Sequence, residues 1–200
     1  MAELLVTIAI IGILASLASP IFIRLIRDRR SQHAAEESAR MFEGARARAM
    51  GRGGAVVVRW NANAGTPTPA DPSGHLTMLE GVDDTFVNVA CVVPAEGCCG
   101  AWQAGNGSRY IASFDERSAQ YDSTAITLLD AGGSQRDYAE VCFSPRGRTF
   151  VRFAPGGSGQ ASGFQPLTGV LRMQVQNTRT GMVRQIVVPP NGNARVRGDL

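Results

Sequence analysis

The stretch ELLVTIAIIGILASLASPIFI, residues 3–23, decides how the rest of the chain is read. After Glu3, residues 4–23 contain no charged side chain. At about 1.5 Å per helical residue they span ~30 Å, the hydrocarbon thickness of a bilayer. Glu3 stands at the mouth of that run. A carboxylate there is costly and marks function, and it calls for a cationic partner. The first cation downstream is Arg24, so no partner lies within the run itself.

Outward from this stretch the helical pattern persists. Gly12 is tolerated, and Pro20 removes a backbone donor and is expected to kink the helix. Beyond Arg24 the pattern turns amphipathic, with Leu25, Ala35, Ala39, Phe42, Ala45 and Ala49 recurring at steps of three and four. Glu36 and Arg40 are spaced for a helical ion pair. Gly51, Gly53 and Gly54 are expected to end the helix. The chain therefore divides into a transmembrane half-helix (residues 1–23), an amphipathic half-helix (24–52) and a β-rich globular domain (53–200).

The remainder of the 200 residues is long enough for one domain with a real core. Net charge is +3 and the pI is near 8.9. All 20 basic residues are arginine, a usage that fits GC-rich coding and is discounted as a nucleic-acid signal. The 23 glycines and 10 prolines fall mostly after residue 50, which suits turns between strands. Strands are expected at 55–60 (AVVVRW), 76–79, 86–93, 125–129, 140–143, 149–153, 170–176 and 182–188. Ser144-Pro145-Arg146-Gly147 reads as a tight turn, and 177–181 as the turn of the clearest hairpin. Residues 61–74 and 156–163 read as loops. The expected fold class is α+β: an antiparallel sheet packed on the second half of a long helix.

Glu3 to Ala15, with Pro20 following, closely resembles the N-terminal helix of type IV pilins and type II secretion pseudopilins. The acidic residue, the Ile-Gly-Ile-Leu-Ala core and the Glu-to-Pro spacing carry the resemblance. It implies a helix that anchors the subunit in the bacterial inner membrane, with the C-terminal domain in the periplasm, until other pilins or pseudopilins draw it into a filament. It implies that Glu3 pairs with the N-terminal amine of a neighbouring subunit, and that Pro20 lets the helix bend during assembly. Met-Ala stands where the family has other residues, so either the leader lies upstream of Met1, where a prepilin peptidase would act as the resemblance implies, or the chain is unprocessed. Residues 42–58 (FEGARARAMGRGGAVVV) and 141–148 (VCFSPRGR) resemble H-type pseudopilins and FimT/FimU-like minor pilins. Arg24, Arg27, Arg29 and Arg30 would place the domain in the cytoplasm by the positive-inside rule. The family resemblance implies the opposite side, the deciding leader charges being outside this sequence.

Four cysteines, Cys91, Cys98, Cys99 and Cys142, lack the spacing of a zinc site. Outside the cytoplasm they are disulfide candidates: one of the adjacent pair Cys98 and Cys99 reaching Cys91, the other reaching Cys142. The alternative is small buried thiols. In the tail, Arg195 and Arg197 resemble the Gly-Arg-x-Arg motif of minor pilins associated with DNA uptake, with Ala194 in place of the glycine. On an extended tail both guanidiniums would point the same way, toward phosphate. Against DNA as a partner stands the lack of an aromatic platform, which favours a solvated tail. His33 and His75 are isolated in sequence. The pairs Asp83-Asp84 and Asp115-Glu116 read as solvated acidic turns rather than Ca²⁺ ligands. No catalytic constellation, cofactor motif or metal site is apparent. A secreted protein cleaved after Ser16-Leu17-Ala18 is a further alternative, weakened by Glu3 and by a run longer than a signal peptide needs.

Overall fold

The computed structural model describes residues 2–65, 75–81, 98, 102, 108–116, 118–154 and 163–198. One helix, α1 (Ala2–Arg52), runs without interruption through Pro20. At ~1.5 Å per residue it is ~75 Å long. It ends as glycine dictates. Gly53 takes a left-handed conformation (φ 69°), and its N–H donates to the Ala49 carbonyl at 3.1 Å, closing the last turn.

The second half of α1 buries a stripe of small residues, Ser31, Ala34, Ala35, Ser38, Ala39, Ala45 and Ala49, together with Met41 and Phe42. Small side chains let the helix axis lie close to the strands. The two buried serines return their hydroxyls to the helix itself: Ser31 Oγ to the Asp28 carbonyl at 3.0 Å, Ser38 Oγ to that of Ala34 at 2.8 Å. Leu25, expected on this stripe, is exposed instead. Packing starts about two turns later, because none of the described residues of the domain covers the helix before residues 27–30.

Two antiparallel sheets meet the helix, where the sequence suggested one. The first has strand order β3-β2-β1-β6-β7-β8, comprising β1 (Val56–Asn61), β2 (Leu76–Gly81), β3 (Ser108–Phe114), β6 (Tyr138–Phe143), β7 (Thr149–Arg152) and β8 (Gln165–Pro166). The second has order β11-β10-β9-β4-β5, comprising β4 (Thr124–Leu129), β5 (Gln135–Arg136), β9 (Leu171–Asn177), β10 (Val183–Val188) and β11 (Arg195–Arg197). One core joins them to α1: Phe42 and the alanines against Val56, Val58, Trp60 and Val141 of the first sheet and Leu128, Met173, Val175 and Ile186 of the second.

The first sheet is buried on both faces. Its far face carries Val57, Leu79, Cys142 and Phe150, covered by Cys98, Trp102 and Phe164. Double burial explains why β1 opens on three consecutive buried valines, residues 56–58, rather than an alternating pattern. Among the described residues, the second sheet is covered on one face. Accordingly β9 alternates, with Leu171, Met173 and Val175 inward and Arg172, Gln174 and Gln176 outward.

Seven of the eight expected strands are present. The remaining one, 86–93, lies outside the described residues, as do Asp83, Asp84 and residues 156–162. The 177–181 turn forms as expected. Gly181 adopts φ 76° and donates to the Asn177 carbonyl at 2.8 Å, while Asn177 Oδ1 accepts from the backbone of Arg179 and Thr180. Ser144 to Gly147 also turns as expected, with Gly147 at φ 74°.

Candidate functional site

The bare half of α1 is the most unusual surface of the molecule. From Glu3 to Ile26 every side chain that can be described is exposed, and none of the best 18-residue apolar window is buried. Ile11 and Leu17 are each 65% exposed and Ile21 70%. A soluble domain rarely leaves an apolar surface of this extent uncovered. The helix is long and apolar enough to cross a membrane. Its polar groups suit that solvent too. Thr7 Oγ1 donates to the Leu4 carbonyl at 2.9 Å and Ser16 Oγ to that of Ile13 at 2.7 Å, so neither hydroxyl is left to a hydrocarbon.

Glu3 lies in the first turn of α1, exposed, and makes no ion pair among the described residues. The positive end of the helix dipole favours a carboxylate there, but by only about 0.3–1 kcal/mol. Pro20 sits within the same bare half, six residues before Ile26.

Where the bare half meets the domain, one acid anchors it. Asp28 Oδ1 accepts from Thr180 Oγ1 at 2.6 Å and from Asn177 Nδ2 at 3.3 Å, joining the helix to the β9–β10 turn. At the other end of the packed half, Arg48 and Arg52 reach Glu80 on β2, at 3.3 and 2.9 Å, and Arg109 on β3 completes the cluster at 2.7 Å. Burial alone would push the Glu80 carboxyl up. Arg109, Arg48 and Arg52 outweigh it and hold the group below the ordinary glutamate value. A second buried carboxylate, Glu140, lies between Arg59 and Arg152 on neighbouring strands and accepts the Tyr138 hydroxyl at 2.7 Å. Burial and the Glu140 charge push the Tyr138 phenol well above its ordinary value. Arg152 also stacks over the Phe164 ring, 4.3 Å from its centroid. These groups are charge-paired and hold helix to sheet and strand to strand; their chemistry is structural.

Sequence reasoning missed both clusters, although Arg59, Glu140 and Arg152 become visible once the register is known, since Glu140 pairs with Arg59 and with Arg152 across adjacent strands. The histidines are not isolated in space. His75 is buried, with Nδ1 3.0 Å from Asp115 Oδ1 and its ring against Trp60, and His33 meets the Tyr121 hydroxyl at 3.4 Å. Asp115 and Glu116 are therefore not solvated: they lie 13% and 15% exposed, turned toward His75 at the end of the β2–β3 pair. Among the described residues no group of His, Cys, Asp and Glu could hold a metal ion.

The cysteine pairing has a definite element. Cys98 and Cys142 form a disulfide across the covered far face of the first sheet, 44 residues apart in sequence. Cys91 and Cys99 lie outside the described residues.

Arg195 and Arg197 lie not on a free tail but on β11, an edge strand paired with β10. Arg195 stands opposite Val187, which stands opposite Arg172, and Arg197 opposite Gln185 and then Gln174. All three arginines are exposed on the outer face of the second sheet, with Arg172 and Arg195 two strand spacings, ~10 Å, apart. Ala194 is buried beneath them. No protein-family model, curated protein or solved structure matches the chain.

Proposed function

We propose that the chain is a structural subunit of the type IV pilin and type II secretion pseudopilin class, of the minor, H-type or FimT/FimU-like kind. It is held in the bacterial inner membrane by the bare half of α1, with its β domain in the periplasm. From there it enters a filament, near the tip, by stacking that half against the corresponding helices of other subunits. Glu3 sets the register by pairing with a neighbour's N-terminal amine, which a prepilin peptidase acting upstream of Met1 would supply. Two charges that meet in an apolar bundle neutralise each other, and either left alone there would be strongly unfavourable.

The single observation that supports this reading is the division of α1. One half buries a stripe of side chains against two sheets, while the other carries no charge after Glu3, is exposed at every described side chain, and is tipped by a carboxylate that makes no ion pair among the described residues. A simple membrane anchor needs the apolar run but not Glu3. The Cys98–Cys142 disulfide fits an oxidising compartment. Mass spectrometry of the N-terminus from native membranes tests the reading. A methylated Phe preceding Met1 supports it, whereas a mature chain starting at Ser19 identifies a cleaved signal sequence and eliminates it.

One observation favours a second reading, a DNA-binding minor pilin. The β11 register gathers Arg195, Arg197 and Arg172 on one exposed face. DNA affinity of the detergent-solubilised chain, measured against salt, tests it. Binding unchanged by Arg195→Ala with Arg197→Ala sinks this reading and leaves the first intact.

A further inference from the structure

Arg24, Arg27, Arg29 and Arg30 follow directly on the bare apolar half of α1. None of the four makes an ion pair or a side-chain hydrogen bond among the described residues. The one acid in their midst, Asp28, is turned to Thr180 and Asn177 and so is occupied by the hairpin. Arg179, in the same hairpin turn, is not part of this group, since its Nε donates to Ser123 Oγ at 3.0 Å. At 100° per residue the four helix arginines are spread around the circumference rather than along one stripe. They occupy ~9 Å of axis. That compares with the roughly 5–8 Å of polar headgroup on each side of a bilayer's hydrocarbon core.

A partner protein would meet one face of the helix. Cations spread over several faces at a single level, just where the apolar surface stops, with Arg24 and Arg29 exposed and Arg27 and Arg30 half-buried, are instead matched by a plane of anions meeting the helix on every side but the one the hairpin holds through Asp28. We propose that Arg24, Arg27, Arg29 and Arg30 form a collar that binds the phosphates of anionic phospholipid headgroups, fixing the depth of α1 and concentrating such lipids around the subunit. The inference rests on the reading that the bare half spans a membrane, but not on which side the domain lies. Guanidinium suits this role because its planar fork bonds two phosphate oxygens at once.

The test uses the full chain reconstituted into phosphatidylcholine vesicles carrying a trace of spin-labelled phosphatidylglycerol or, in parallel, spin-labelled phosphatidylcholine. The fraction of each label immobilised at the protein is read by electron spin resonance. Phosphatidylglycerol is expected to be enriched about fivefold at low ionic strength, the ratio falling toward one as salt is raised. Replacing all four arginines by glutamine is expected to abolish the preference while immobilised phosphatidylcholine persists. Equal association of both lipids with the unaltered chain overturns the inference, as does a preference that survives high salt or the fourfold substitution. Because the salt series needs no variant, a misfolded variant does not shield the proposal. Should the chain leave the vesicles in alkaline carbonate, the membrane-spanning reading itself has failed, a result distinct from equal lipid association.

Discussion

Thr180 donates its hydroxyl to Asp28 Oδ1 at 2.6 Å, tying the tip of the β9–β10 hairpin to the helix at the point where α1 leaves the domain. Asn177, almost wholly buried, reaches the same oxygen at 3.3 Å. The hairpin thus sets how the bare half projects from the globular body. Substituting Asp28→Ala is expected to cost about 1–2 kcal/mol, since it removes a charge-assisted bond and leaves the Asn177 amide without its acceptor. Amide exchange should accelerate selectively across residues 177–182 and at the neck of α1. Unchanged exchange there would show that the contact does not hold the neck.

The grip on the other half of the helix predicts a contrast between two apolar truncations. Phe42 is 1% exposed, and Phe42→Ala should destabilise the domain by about 3–5 kcal/mol through lost burial and the resulting cavity. Leu17 is 65% exposed, and Leu17→Ala should shift the domain's unfolding by less than about 0.5 kcal/mol. Denaturant unfolding in mild detergent, followed by tryptophan fluorescence, measures both.

Glu80 gives the domain an acid sensitivity of known sign. Its carboxyl is held below the value it has when unfolded, so the stabilisation is present above the unfolded value, 4.5, and is lost as pH falls through the folded one. Asp130 acts in the same direction: the Ser134 backbone N–H, then Arg136 and the Gly132 N–H, hold its carboxyl below the ordinary aspartate value. Midpoints of urea unfolding should therefore be flat near neutrality and fall below about pH 4.5. Glu80→Gln should cost about 2 kcal/mol at pH 7 and flatten that fall.

The Cys98–Cys142 bridge closes a 44-residue separation. Its reduction should lower stability by roughly 2–4 kcal/mol, because the unfolded chain regains the entropy of the open loop. Urea unfolding with and without reductant measures this. It should also expose the covered far face of the first sheet, read as binding of an apolar dye.

How far the sequence could be read depended on whether the signal was local. The helix was legible because twenty uncharged residues run without a break and a cluster of glycines marks its far end, and the 177–181 turn because asparagine and glycine specify it directly. β3 was not legible. A bulge opposite Met78 and Leu79 inserts Ile111, so Tyr110, Ile111 and Ala112 run together and the alternation is lost. β5, β8 and β11 are too short to show a period, and β11 owes its form to pairing with β10. Leu25 fitted the helical spacing yet lies outside the packed stripe, since spacing reports a face and not where its cover begins. At the candidate site, Glu3 and the apolar run were plain from sequence. Asp28 was not, because its partners lie 149 and 152 residues away.

The central claim is that Glu3 directs the bare helix against other subunits, and photocrosslinking from within the membrane tests it most directly. Benzoylphenylalanine placed at Ile10, exposed in the apolar run, is irradiated in native membranes with Glu3 intact and with Glu3→Ala. The account predicts adducts to other helix-bearing subunits with Glu3 present, and their loss with Glu3→Ala at unchanged membrane abundance. Adducts of equal yield in both chains, or adducts to lipid alone, would contradict it.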